Sequence, residues 1–449
     1  MAKWIAVIAV ITVIALIVWI SVRDNMAPQQ APDRPATPAK QALTIWWAQW
    51  DPAVGLQELG KDFERETGVA VTVQQIPWST YQDQVFLNFG NKQTDFDIVV
   101  GDSQWIGRGA SKGLYLDLSD WAKASVKLAE LNATALKYLC EYPTGSGKLF
   151  ALPCETDAVA FAYRKDWFAD ATEQAAFKAK HNRDLAPPQT WEEFRDVAAF
   201  FTRPEQKRYG CALLTGRGYD SLVMGFQNLF WAFGGSWGDA ATFATEGHVN
   251  SPGAVAALGF MKELVALSPP GGADMDYGKV MEVFRNGSVA MSMDYVAFFP
   301  GLSKDMGDKV GYFAMPAKDG KRAISLGGQG FSVSSKVAPA QQELAKRFIA
   351  WFLQKNVQEQ WITKPAGFTA NQAILVSPEF RAKTPYNGPL ADSMDHLQDF
   401  WNVPVYNELL SAAQRLIGEA IDGKSEPKAA LDALAKEHAV ILKDAGLAK

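Results

Sequence analysis

Residues 43–100 read LTIWWAQWDPAVGLQELGKDFERETGVAVTVQQIPWSTYQDQVFLNFGNKQTDFDIVV, and this stretch decides the fold. Leu43 to Trp47 reads as a strand; Val54 to Thr67 carries apolar residues at helical spacing and stops at Gly68, a residue suited to a helix C-cap. Val69-Ala70-Val71-Thr72-Val73 is a second strand. Ser79, with Gln82 three residues on, reads as a capping box opening a helix to about Phe89, and Phe96-Asp97-Ile98-Val99-Val100 is a third, largely apolar strand. A βαβαβ run of this kind implies a parallel sheet covered on both faces. Such open sheets bind ligands outside the carboxyl ends of their strands. Trp46, Trp47 and Trp50 stand there after the first strand, and Asp102, Ser103 and Trp105 stand there after the third.

Tryptophan joins a large apolar face to one N–H donor, so rings at a strand end suit a ligand that is partly apolar and partly hydroxylated, as sugars are. Core packing is the competing reading for each ring. Successive strand side chains point to opposite faces, so Trp46 and Trp47 cannot both look toward a ligand. Trp50 in the loop and Trp46 are the candidates for contact, with Trp47 assigned to the core.

Working outward, the 449 residues with 48% hydrophobic and 21% charged content match a globular protein of two or three domains. A formal net charge of −5, with Lys and Arg scattered, speaks against nucleic acid as a partner. From Trp4 to Val22 runs a charge-free apolar segment bounded by Lys3 and Arg23; at about 1.5 Å per residue it reaches roughly 28 Å, nearly a bilayer core. It is long for a signal-peptide core, and Asn25-Met26-Ala27 is a poor cleavage site, so residues 1–23 read as an uncleaved N-terminal membrane anchor with a cleaved signal peptide as the alternative. Residues 24–41, with Pro28, Pro32, Pro35 and Pro38, read as a Pro-rich linker. About 15 such residues extend on the order of 45 Å in polyproline II geometry.

Cys140 and Cys154 flank the turn Thr144-Gly145-Ser146-Gly147. Outside the cytoplasm a disulfide between them would close a short loop and contribute about 3 kcal/mol; two buried free thiols are the alternative. Cys211 reads as a buried free thiol in either case.

At Ile45-Trp46, Phe63-Glu64-Arg65-Glu66-Thr67-Gly68-Val69-Ala70-Val71, Asp97-Ile98-Val99 and Gly113-Leu114 followed by Leu116 and Leu118, the chain resembles the first lobe of the extracellular solute-binding proteins of ABC sugar importers, the maltose-binding-protein-like group. Leu152-Pro153 leading to Phe161-Ala162-Tyr163-Arg164-Lys165-Asp166 is similar to that family's strand crossing into the second lobe. Thr190-Trp191-Glu192-Glu193-Phe194, Phe284-Arg285-Asn286-Gly287-Ser288-Val289-Ala290-Met291, Leu326-Gly327-Gly328-Gln329-Gly330-Phe331-Ser332-Val333 and Ala345-Lys346-Arg347-Phe348-Ile349 continue the resemblance in family order. It implies an α/β, two-lobed periplasmic-binding-protein fold, each lobe a mostly parallel sheet flanked by helices, with the ligand cleft between lobes. The first lobe is expected over 42–155 plus 314–352 and the second over 156–313 plus 353–449. In the loop after the first strand, maltodextrin binders carry small polar and charged residues where this chain has Ala48-Gln49-Trp50-Asp51, which puts maltose itself in doubt.

The residues agree with this reading on their own terms. Thr190 with Glu193 forms a capping box, Asp319-Gly320 is a two-residue hairpin turn, and Gly287 ends a helix from about Tyr277. Glycines 327, 328 and 330 permit a bend or a close approach. Amphipathic helices are expected at about Pro404 to Ile421 and Lys428 to Asp444. A cleft that closes on a sugar needs aromatic platforms and hydrogen-bonding groups from both lobes. Trp46, Trp50, Asp102, Trp105 and Gln329 are the candidates from the first; Tyr219, Trp231, Trp237, Asp294, Tyr295 and Trp401 are those from the second, Trp231 and Trp237 bracketing a loop that similar proteins turn toward the ligand.

The four histidines lie far apart and no nucleophile elbow, P-loop or calcium loop appears, so neither metal, cofactor nor catalytic residue is assigned. Asp102, Glu155, Asp157 and Asp294 would serve a glycosidase only if two of them met at a suitable separation, and no motif marks them. The expected function is capture of a carbohydrate, an oligosaccharide in the first instance, on the outer face of the cytoplasmic membrane and delivery to the transmembrane subunits of an ABC permease. A two-lobed sensory or adaptor module without transport, and more remotely a carbohydrate-active enzyme, are the competing readings.

Overall fold

The strands that carry the fold are β1 (Ala42–Ala48), β2 (Ala70–Ile76), β3 (Ile98–Asp102), β4 (Leu152–Arg164), β5 (Tyr209–Ala212), β6 (Val289–Tyr295), β7 (Val310–Ala314), β8 (Ile324–Val333) and β9 (Leu397–Gln398). The computed structural model describes residues 41–364 and 366–448. The anchor expected over residues 1–23, and all of the 24–41 linker except Gln41, lie outside the described residues, among which no helix is long and apolar enough to cross a membrane.

The strand order is β2-β1-β3-β8-β4-β6-β5, with β7 also on β4 and β9 on β8. β1 pairs parallel with β2 and β3, as the βαβαβ run requires, and β5 pairs parallel with β6. Around the two long strands the pairing turns antiparallel: β8 with β3 and β4, and β4 with β6 and β7. The sheet is therefore mixed: parallel in its outer pairs and in the short β8–β9 contact, antiparallel in the remaining pairs of β4 and β8.

Strand β4 joins the two halves. Its first half, Leu152 to Ala158, pairs with β8, and its second half, Val159 to Arg164, pairs with β6 and β7. Eleven consecutive residues of it are buried, because each face is covered by packed elements rather than water. A register shift between Pro153 and Glu155 marks a bulge within the half that pairs with β8. Gly328 on β8 has φ of +94°, and a Cβ there would lie 2.3 Å from the Glu155 carbonyl oxygen, so only glycine lets the crossing strands approach this closely.

Local signals set the helix ends. The first helix spans Asp51–Thr67, with Pro52 in its first turn; Gly68 closes it at φ 76°, its N–H donating to Glu64 O at 2.8 Å. Thr190 and Glu193 form the expected capping box on the helix Trp191–Phe201. The box expected at Ser79 and Gln82 does not form: the helix Trp78–Asn88 starts earlier, after Pro77, without a side-chain cap. Pro77 at the N-cap, rather than Ser79, marks the helix start. Asp319 and Gly320, at φ 49° and 78°, make the two-residue turn, yet β7 and β8 on either side pair with β4 rather than with each other.

Packing is aromatic in both halves. Phe63, Phe348, Trp351, Phe352 and Trp361 form one chain of ring contacts and Phe161, Trp191, Phe194 and Phe313 another. Fully burying each such side chain contributes about 1.5–3 kcal/mol. The helices Tyr406–Ile421 and Pro427–Asp444 pack on each other, and the buried His438 Nε2 sits 2.8 Å from Leu409 O between them. Burial lowers that imidazole to about 4, so it stays neutral.

All three cysteines are free and buried, which corrects the disulfide expected between Cys140 and Cys154. The hairpin does form, but Phe150 N donates to Cys140 O, so the register sets Phe150 rather than Cys154 opposite Cys140.

Candidate functional site

Five strand ends converge on one cavity of about 830 Å³. The loop after β1 brings Trp50, that after β2 brings Trp78, Ser79 and Gln82, and the end of β3 with its helix brings Asp102, Ser103 and Gln104. From the other side the segment after β5 brings Gly216 to Ser221, and the end of β6 brings Tyr295 and Phe298. The helix start at Asp276 and Tyr277 completes that wall, and β8 passes behind with Leu326 to Gln329.

A hydrogen-bonded chain runs across the cavity. Trp47 Nε1 donates to Gln329 Oε1, and Gln329 Nε2 donates to Asp102 Oδ1 at 2.6 Å. Tyr219 Oη donates to Asp102 Oδ2 at 2.8 Å, Gln104 Nε2 to Asp220 Oδ2 at 3.0 Å, and Tyr277 Oη to Asp220 Oδ1 at 2.5 Å. Two of these bonds, Tyr219 to Asp102 and Gln104 to Asp220, join residues more than a hundred positions apart from opposite walls. Each carboxylate keeps unused lone pairs, since two oxygens offer about four acceptor sites.

Among the described residues, the hydrogen-bond donors to the floor acids Asp102, Asp157 and Asp220 are neutral groups. Burial, with the Asp220 charge second, raises the Asp102 carboxyl to about 7 against the bonds from Gln329 and Tyr219 that hold it down. Burial raises Asp157 to about 8, although Ala158 N and Ala297 N donate to its two oxygens at 2.7 and 3.2 Å. Asp220 is raised by burial as well. Behind the wall Glu155 is fully buried, and neither of its oxygens has a partner among the described residues. Burial, and then the Asp157 and Asp102 charges, push it well above the usual carboxyl range.

The rings form one run that joins at Phe298. Trp50 meets Trp47, Trp78 and Phe298 at 5.6, 5.3 and 6.4 Å between centroids. Tyr277 stacks on Phe298 at 5.7 Å and 7°, with Tyr295 beside it at 5.8 Å.

Of the residues expected from the sequence, the cavity gathers Trp50, Asp102, Tyr219, Tyr295 and Gln329. It does not gather the other six, and packing explains each. Trp46 is 6% exposed, donates to Gln74 and lies against Phe96, on the strand face opposite Trp47. Trp47, assigned to the core, is indeed buried but reaches the site indirectly through Gln329. Trp105 is buried on the helix Ser103–Ser111 against Tyr81 and Phe86. Trp231 is buried in the helix Ser221–Ala232, and Trp237 packs on Phe230 and Phe400, so both rings serve the core while the loop between them stays partly exposed. Trp401 stacks on Phe243 and donates to Trp237 O. Asp294 is fully buried on β6, with Oδ2 unpartnered; the two-residue period that turns Tyr295 to the cavity turns Asp294 away.

Sequence reasoning missed Trp78, Gln104, Asp220, Tyr277 and Phe298 as site residues. The strand-end rule applied to β2 and β6 would have found Trp78 and Phe298. Asp220 and Tyr277 carry no such signal, for they belong to segments brought in by tertiary packing. Among the described residues no group of three or more His, Cys, Asp or Glu side chains is placed to hold a metal ion.

The model of the family described as bacterial extracellular solute-binding protein matches residues 48–359. A probable amino-acid ABC transporter periplasmic-binding protein of Sinorhizobium fredii is 25% identical over 340 residues, covering 73% of this chain and 72% of that relative. Among solved structures, an ABC transporter solute-binding protein of Agrobacterium radiobacter in complex with ribitol superposes with a TM-score of 0.75 at 27% identity, over 89% of this chain and 98% of that one. Maltose-bound MalE3 of T. maritima superposes with a TM-score of 0.75 at 22% identity over 89% and 100%, and shares the two-lobed fold.

Proposed function

The chain belongs to the bacterial extracellular solute-binding proteins, and from that premise we propose that it captures a sugar or polyol outside the cytoplasm by closing its two lobes and hands it to the permease of an ABC importer. The observation that carries this reading is the cavity itself, where aromatic rings and hydrogen-bonding side chains from both walls converge. Trp50, Trp78, Tyr277 and Phe298 are the apolar platforms; Asp102, Gln104, Tyr219, Asp220 and Gln329 are the groups for hydroxyls. A volume of about 830 Å³ lies high in the usual range of about 300–1,000 Å³ for small-molecule sites and supports an extended ligand such as an oligosaccharide. The ribitol complex of the Agrobacterium radiobacter protein supports the hydroxylated class.

Lobe closure is supported by the bonds from Tyr219 to Asp102 and from Gln104 to Asp220, which tie residues 42–155 plus 314–352 to residues 156–313 plus 353–449. The β4 and β8 crossings are the hinge in this reading. The charge-free run from Trp4 to Val22 supports attachment at the outer membrane face.

Calorimetric titration of sugars, polyols and oligosaccharides tests the reading, with small-angle scattering to follow shape. A hydroxylated binder that reduces the radius of gyration is the expected result. Binding confined to phosphates, peptides or amino acids would contradict it.

A further inference from the structure

Resting on the reading of this cavity as the ligand site, we propose that its ligand is a hydroxylated molecule that bears a positively charged amine, an amino sugar or amino polyol rather than a neutral one. The charge of the walls is the first observation. Asp83, Asp102, Asp157, Asp220, Asp274 and Asp276 line the cavity, and Arg217 is the one basic residue among its described lining. That guanidinium is committed elsewhere: it donates to both oxygens of Asp422 and to the carbonyls of Ala273 and Gly418.

The depth of the acids is the second. Asp157 and Asp220 are 2% and 4% exposed, and Glu155, fully buried with both oxygens unpartnered, stands directly behind the glycine wall, since Glu155 pairs with Gln329 and Asp157 with Gly327. Buried carboxyls without a counterion are held in an unfavourable state, either charged and unpaired or protonated against their chemistry. Hydroxyl donors from a neutral sugar satisfy lone pairs one at a time and leave the charge in place. An ammonium group removes it, with charge-assisted hydrogen bonds that are about twice as strong as neutral ones.

The rings supply the third observation. Tyr277 stacks on Phe298 while its hydroxyl donates to Asp220, so the aromatic wall of the cavity reaches a buried carboxylate. Rings and carboxylates lining one cavity are the groups that together hold an organic cation. The same field repels anionic solutes from the cleft before they arrive, while the exposed rim acids Asp83, Asp274 and Asp276 draw cations in.

Calorimetry on the full chain with matched triads tests this: glucose, maltose, ribitol and mannitol, each beside the analogue with one hydroxyl replaced by an amine, and beside the N-acetylated amine, which keeps the bulk and loses the charge. In at least one triad the amine is expected to bind tenfold or more tighter than the neutral parent, with the N-acetyl form no better than the parent. Neutral parents that bind as well as their amines would overturn the inference and leave the sugar or polyol reading intact; no binding by any hydroxylated compound would remove both. Asp220→Asn, and Asp102→Asn as a second variant, should each weaken the amine about tenfold more than they weaken its neutral parent, whose hydroxyls lose a hydrogen-bond acceptor but no charge partner. Equal losses for the two ligands would mean that these acids act through shape, against the proposal.

Discussion

Two sets of carboxylates in this protein meet opposite fates. On the outer shell Glu173 receives two bonds of 2.6 Å from Arg203 and lies within 3.4 Å of Arg208, Asp166 pairs with Arg164, and Asp422 pairs with Arg217. The bonds to arginine hold Glu173 and Asp422 below the usual range, and Asp166 is held there by Arg164 despite the opposing effect of burial. In the cavity Asp102, Asp157 and Asp220 have neutral donors only, and burial lifts all three. The titrating group is a carboxyl in both places. The difference teaches that acid charge on the shell is answered within the fold, while in the cavity it is left for whatever enters.

Substitutions on each side should separate stability from affinity. Glu173→Gln is expected to have the largest effect, about 2 kcal/mol of lost stability in chemical denaturation, because it strips charge-assisted bonds from Arg203 and Arg208; ligand affinity should not move. Asp220→Asn should act on affinity. It removes one of two neighbouring buried acids at the cost of one of the two hydrogen bonds that Asp220 accepts, so the stability loss should be about 1 kcal/mol, while affinity for an aminated ligand falls about tenfold, or about 1.4 kcal/mol. A large stability loss in Asp220→Asn with unchanged affinity would erase the distinction between the two sets.

How much of this was legible in the sequence depends on how far each contact reaches. The βαβαβ run, the Gly68 cap, the Thr190 box and the last two helices follow from local spacing, and the structure places them within a few residues of expectation. Trp50 and Asp102 were legible because a parallel strand end is a position that topology alone assigns to ligands. Trp231, Trp237 and Trp401 were misread for a physical reason: an aromatic ring serves a core as readily as a site, and only tertiary packing decides. Asp220 and Tyr277 were invisible because their bond joins a loop to a helix start 57 residues away. The uncompensated charge of the cavity was hidden for the same reason, since it depends on Arg217 finding Asp422 at a separation of 205 residues.

The empty protein offers the most direct test of that charge, with no ligand needed. Asp102 binds its proton up to about pH 7 in the folded state, whereas an unfolded aspartate releases it near 3.9. Between those values the folded chain holds more protons than the unfolded one, so this group's contribution to stability declines as pH rises and has gone fully unfavourable above pH 7. The measurement is the melting temperature of wild type and Asp102→Asn from pH 5 to pH 8. The account predicts that the melting temperature of the variant minus that of wild type rises steadily across that window; a difference that stays constant, or that falls as pH rises, would contradict it.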